Sequence, residues 1–130
     1  MKIRTLNSVT LIGNLVRKPE LNQTKNGVSV CNFYLITDRL WKNKDGELRS
    51  ESERHNCLAW SRLAEICHEL LEKGTLAFIE GRLNTKKFLN REGQEILETV
   101  VVVNDMIVLD QKNRSQDEGN YETRDTNQQD

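Results

Sequence analysis

Trp41, Trp60 and Phe88 each stand beside basic residues, in Arg39-Leu-Trp41-Lys42, Trp60-Ser-Arg62 and Lys86-Lys87-Phe88. An aromatic face stacks on any flat unsaturated ring, and a neighbouring ammonium or guanidinium pairs with an anion. Together they suit a ligand that alternates rings with negative charges, as an unpaired nucleic-acid strand does. Arg82, Lys86, Lys87 and Arg91 form a basic run along one predicted strand and its hairpin, spaced to follow phosphates. The competing reading of any single lysine is a solvated surface charge, and that of Trp60 is a core residue. Trp60 shares a strand face with Arg54, Asn56 and Leu58, which favours the surface. Trp41 lies in a charged flank, which also favours exposure. Phe33, Tyr34 and Phe78 read as core or interface, and His68 as a surface residue of a helix.

These side chains need a scaffold, and the hydrophobic pattern supplies one. Thr5 to Arg17 alternates as a strand, with Val9, Leu11 and Leu15 on one face and Gly13 in the middle. An interior glycine signals a bulge or bend, as at a barrel corner. Glu20 to Lys25 is polar and reads as a connection, and Asn26-Gly27 is a strong turn signal. Val28 to Asp38 is a second strand, and Lys42 to Ser52 a charged hairpin loop around Asp45-Gly46. Glu53 to Trp60 is a third strand. Ser61 is a natural N-cap for a helix whose Leu63, Ile66, Cys67, Leu70 and Leu71 form one apolar stripe. Gly74 is placed to close that helix after Lys73. Two more strands run from Thr75 to about Leu89 and from Glu95 to Leu109, with Val100 to Val103 buried. The order β-β-β-α-β-β predicts an all-β fold, a five-stranded OB-fold Greek-key barrel with one short helix between strands 3 and 4.

Composition limits the alternatives. The chain has 130 residues and a formal net charge of −1. The last twenty residues hold three bases and five acids and almost no apolar side chain, so the body carries sixteen bases against fifteen acids. Attraction to a polyanion therefore has to come from a local patch. Residues 1–110 read as the folded domain and 111–130 as a disordered polar tail, too polar to offset its chain entropy. No apolar run approaches a membrane span, and no signal-peptide core follows Met1, so the expected address is cytoplasmic and nucleoid-associated. Cys31, Cys57 and Cys67 lack the paired spacing of a zinc site and read as buried thiols in a reducing compartment; no cofactor or metal is expected.

Asn7-Ser-Val-Thr-Leu-Ile-Gly-Asn-Leu15, Pro19-Glu20, Asn26-Gly27-Val28, Trp60-Ser-Arg-Leu-Ala-Glu65, Lys73-Gly74 and Ile79-Glu-Gly-Arg-Leu83 follow one another in an order and spacing that span residues 6 to 109. In these motifs the chain resembles the bacterial-type single-stranded DNA-binding proteins. The resemblance implies a homotetramer of OB-folds that binds single-stranded DNA in replication, recombination and repair. It places Trp41, Trp60 and Phe88 at base-stacking positions, and Arg62, Lys73, Lys86 and Lys87 at backbone-contacting ones. It places His55 in the subunit interface. Arg54 stands where the family has an aromatic, and a guanidinium plane can also stack on a base. Asn22-Gln23 replaces an arginine-tyrosine pair. The sequence ends Asn127-Gln-Gln-Asp130, without the aspartate run and terminal phenylalanine through which the family recruits replication and repair proteins. That departure implies a specialised paralogue or a protein of a mobile element, with no recruitment through the tip.

Three other readings compete. Catalysis has one pair to offer, His55 and Cys57 on the face opposite Trp60, with no third group to orient them, so no enzyme is expected. An OB-fold interaction adaptor with weak DNA binding is the main alternative. RNA is a second ligand that stacking alone accommodates.

Overall fold

The computed structural model describes residues 4–110. It contains β1 (Val9–Leu15), β2 (Glu20–Gln23), β3 (Ser29–Lys42), β4 (Leu48–Trp60), α1 (Ser61–Leu70), β5 (Leu76–Leu89) and β6 (Glu95–Asp110). The sheet runs β1-β5-β6-β4-β3-β2, and β1 pairs again with β3, through Asn14 against Ile36 and Leu15 against Leu35. That second pairing closes β1, β3, β4, β6 and β5 into the expected five-stranded barrel. The β4–β6 ladder is parallel and short, pairing Cys57 with Val101 and Leu58 with Val102. The expected tail at 111–130 lies outside the described residues.

Five local expectations are corrected. Glu20 to Gln23 is a short edge strand on β3, from Glu20 against Asn32 to Gln23 against Ser29. Its residues are mostly exposed, so backbone pairing holds it and no apolar pattern announces it. The expected loop from Lys42 to Ser52 shrinks to a tip, because β3 and β4 stay paired out to Lys42 against Leu48. Polar residues on both faces hid the strands there, as the exposed run at the start of β4 shows. Ser61 makes no capping bond; Trp60 holds the extended cap position, and Ser61 turns the chain through φ 59. The helix ends at Leu70, before Gly74. Lys18 takes its free carbonyls instead, with Nζ 2.8 Å from His68 O and 3.3 Å from Leu71 O, where a cation also meets the negative end of the helix dipole. Gly74 N–H donates to Leu15 O at 2.9 Å, in the turn before β5. His68 is half-buried rather than a plain surface residue, its Nδ1 3.1 Å from Pro19 O.

Alternation builds the core. Cys31, Phe33 and Leu35 point inward from β3, Cys57 and Ala59 from β4, and Ala77 and Ile79 from β5. Ala64 and Cys67 of α1 join them. Val100 to Val103 are all buried, as expected, because β6 is covered on both faces. Two glycines make the closure sterically feasible. A Cβ on Gly13 would strike the carbonyl of Ile36, and one on Gly81 the carbonyl of Val102, where the β5–β6 register slips. Asn7 extends β1 by reciprocal bonds with Leu83, Nδ2 to Leu83 O at 2.8 Å and Leu83 N to Oδ1 at 2.9 Å.

All three cysteines are free and buried. Burial pushes the Cys31 thiol up to about 11, partly offset by Lys18, and Cys57 up to about 12. Burial, with Cys31 and Cys57 nearby, does the same to Cys67, also to about 12. The unfolded chain would release these protons near 9.0, so the folded state holds more protons above that pH. Stability is therefore unaffected by the thiols below pH 9 and falls as pH rises toward 12. Urea melts at pH 7, 9 and 10.5 should show declining midpoints, and a thiol reagent should label none of the three until denaturant is added. Rapid labelling of a native thiol would mean the core is open beneath α1.

Candidate nucleic-acid interface

The outer faces of β3 and β4 and the β5–β6 arm enclose an open groove of about 400 Å³. Strand alternation sets its lining. With Cys31, Phe33 and Leu35 turned inward, β3 must present Val30, Asn32 and Tyr34 outward. For the same reason β4 presents Asn56, Leu58 and Trp60, and β5 and β6 add Lys86, Phe88, Glu98 and Val100. Asn22 of β2 forms one rim.

Trp60, Tyr34 and Trp41 each carry a cation. Lys86 Nζ lies 5.2 Å from the centre of the Trp60 ring. Tyr34 takes the Arg54 guanidinium at 4.6 Å and Arg17 at 5.7 Å. Farther along the β3–β4 arm, Arg39 sits 4.5 Å over Trp41. Phe88 carries no such partner among the described residues and is 43% exposed.

The structure sorts the sequence-predicted residues. Trp60, Lys86 and Phe88 line one groove, and the Arg54 guanidinium lies over the ring of Tyr34, another lining residue. Arg82 shares the Lys86 and Phe88 face of β5, nearer the barrel and outside the groove. Lys87 points to the opposite face of the arm, 4.0 Å from Glu95. Arg91 is exposed in the tip between β5 and β6. Trp41 is half-buried on the other arm. Arg62 flanks a second, shallower cavity with Gly27, Ser29 and Glu65. Lys73 is exposed in the turn after α1 and lines neither cavity. His55 is half-buried and its Nε2 lies 2.9 Å from Thr37 Oγ1 of its own chain.

Tyr34 was expected in the core or an interface, and it faces the groove. Adjacent residues of a strand cannot share one face, so with Phe33 2% exposed in the core Tyr34 had to lie outside it. Asn32 and Glu98 carry no sequence signal, and Asn56 only that of its strand face, since amides and carboxylates on an open face are ordinary there. Among the described residues, no group of three or more His, Cys, Asp or Glu side chains could hold a metal ion, and no helix is long and apolar enough to cross a membrane.

The comparisons agree with this geometry. Over 118 residues the chain is 36% identical to a single-stranded DNA-binding protein of Neisseria meningitidis serogroup A, covering 91% of this chain and 68% of that one. It is 42% identical over 110 residues to single-stranded DNA-binding protein 1 of Chlorobaculum tepidum, covering 84% and 68%. A Plasmodium falciparum SSB solved in complex with ssDNA superposes with a TM-score of 0.75 at 27% identity, over 85% of this chain and 100% of that one. The model of the single-strand binding protein family matches residues 6–109, and the chain belongs to that family.

Proposed function

We propose that this chain binds single-stranded DNA, largely independently of sequence and without catalysing a reaction on it. The observation that carries this is one groove lined by Tyr34, Trp60 and Phe88, with Lys86 and Arg54 against two of those rings. Stacking accepts every base because every base has a π-face, and the cations supply phosphate contacts. Duplex DNA offers no free faces and is refused. Relatives named for single-stranded DNA binding, and a structural neighbour in complex with ssDNA, support the same ligand.

The chemistry of the His55–Cys57 pair supports a non-catalytic role. Cys57 is fully buried and its thiol is pushed up to about 12, so it offers no thiolate. His55 bonds Thr37, and Cys57 Sγ faces the His55 carbonyl at 3.8 Å rather than its ring.

The working unit in this reading is residues 1–110, assembled as a homotetramer with His55 at an interface and acting in replication, recombination and repair in the cytoplasm. Exposed apolar side chains support self-association: Leu40 and Leu48 on one arm, Leu89 and Leu97 on the other, and Ile12 and Ile107 on either side of Phe78. Trp41, Arg62, Lys73, Arg82, Lys87 and Arg91 would then extend the DNA path beyond the groove. A second reading, an OB-fold adaptor with weak DNA binding, is favoured by the cations already seated on Trp60, Trp41 and Tyr34.

Tryptophan fluorescence separates the two. Oligo-dT should quench it strongly and duplex DNA should not, and the logarithm of affinity should fall with the logarithm of salt by roughly 0.7 per phosphate contacted. An unchanged spectrum and no tight binding would leave the adaptor reading standing.

A further inference from the structure

The groove floor carries a line of polar side chains that stacking does not require. Asn32 on β3 donates through Nδ2 to Asn56 Oδ1 at 2.6 Å and to the Cys57 carbonyl at 3.2 Å. Asn56 on β4 donates through its own Nδ2 to Glu98 Oε2 on β6, at 2.6 Å. The polarity of this line is determined by its ends. The Cys57 carbonyl only accepts, so Asn32 must present its amide; Glu98 only accepts, so Asn56 must present its amide there and its oxygen to Asn32. The line crosses three strands and ends in a carboxylate.

That carboxylate has no neutralising partner. Lys86 is the register partner of Glu98 across β5 and β6, yet its ammonium lies over Trp60. Among the described residues no cation forms an ion pair with Glu98, and only its Oε2 is taken in a hydrogen bond. A bare negative charge opposes the phosphates of any strand lying in the groove. A neutral acceptor would satisfy Asn56 equally well. What the carboxylate adds is a second strong acceptor, Oε1, beside the stacking rings.

We propose that Glu98, oriented by Asn56, reads the edge of a stacked base and favours bases with an exocyclic amino group over thymine and uracil. The inference rests on the single-stranded DNA reading above. Cytosine presents its N4 amino group where thymine and uracil present O4, and a carboxylate accepts from that amino group. Facing O4, the same carboxylate sets two acceptors against each other with no proton between them. Stacking on Trp60 and Phe88 remains indifferent to sequence, and the preference is superimposed on it.

The test compares the full chain binding oligodeoxycytidine and oligodeoxyuridine of one length at pH 8, where cytosine is neutral. Uracil replaces thymine so that the methyl group plays no part. The wild type should prefer the cytosine strand by about tenfold. In Glu98→Gln the side-chain oxygen can keep the bond from Asn56 and turn the amide toward the base, so the preference should vanish or invert. Removing the charge tightens both complexes alike and cancels in the ratio. Glu98→Ala, which removes the acceptor, should bring the ratio near one; protected thiols in both variants would confirm the native core. Tight and equal binding of the two strands by the wild type would overturn the proposal and leave the function intact. So would a cytosine preference that Glu98→Gln does not alter. Binding of neither strand would remove the function and the inference with it.

Discussion

Trp60→Ala should weaken binding to single-stranded oligonucleotides by roughly 5- to 150-fold, and by a similar factor for every sequence. The span corresponds to about 1–3 kcal/mol per stacked base, a figure measured on single-stranded-DNA-binding proteins of this kind and borrowed here. Trp60 is the ring with the largest claim to it. It ends β4 at the point where the sheet meets α1, its backbone is paired with Val30, and Lys86 lies over its face. A ring held this way loses little freedom on binding, and its removal also strands Lys86 without a partner. Trp60→Phe should recover most of the loss, because the π-face returns. Affinity would be measured by anisotropy with labelled oligo-dT, oligo-dC and a mixed sequence. Loss confined to one sequence would contradict stacking as the mechanism, as would an alanine variant that binds normally.

Gly81→Ala should destabilise the barrel by roughly 3 kcal/mol, as overpacking against an immovable neighbour does. For a domain of this size that lowers Tm by roughly 12–24 °C. The added Cβ meets the backbone carbonyl of Val102, and no side-chain rotation can relieve that contact. The strand must move, and β5 is paired to both β1 and β6 at this point, Val9 and Val103 being the partners of Gly81. Gly13→Ala faces the Ile36 carbonyl at the β1–β3 junction and should behave similarly. A calorimetric Tm within a few degrees of wild type would show that the strands do not approach so closely.

Much of this was readable in the residues because alternation is a strong signal where one face is buried. Cys31-Asn-Phe-Tyr-Leu35 and Asn56-Cys-Leu-Ala-Trp60 alternate buried and half-buried side chains, so both strands and the outward face of Trp60 followed from pattern alone. The bulge or bend expected at Gly13 is a close approach to the Ile36 carbonyl, where β1 passes from β5 to β3, while the register slips occur at Leu76/Ala77 and Glu80/Gly81. What escaped notice lacked such a pattern. The β3–β4 arm is largely exposed on both faces, so nothing in Arg39 to Ser52 distinguishes a paired strand from a charged loop. Glu20 to Gln23 pairs through its backbone, which the side chains do not report. The line from Asn32 through Asn56 to Glu98 spans 66 positions and three strands, and only the β3–β4 and parallel β4–β6 ladders bring its members together. The division of Lys86 from Lys87 was available from strand geometry, since neighbours on a strand point opposite ways.

The double pairing of β1 has a consequence for how the chain is made. Leu15 can find Leu35 once the first forty or so residues have left the ribosome, but Val9 must wait for Gly81, and Asn7 for Leu83. Synthesis proceeds at roughly 5–20 residues per second, so that interval lasts some seconds. Throughout it the hydrogen-bonding edge of β1 is open beside Ile12, an exposed apolar residue even in the finished barrel. Closure between segments this distant in sequence is slow by nature. The nascent chain therefore passes through a stage in which its first strand can join another nascent copy instead of its own fifth, and crowded translation of the same message is the circumstance that would favour the error.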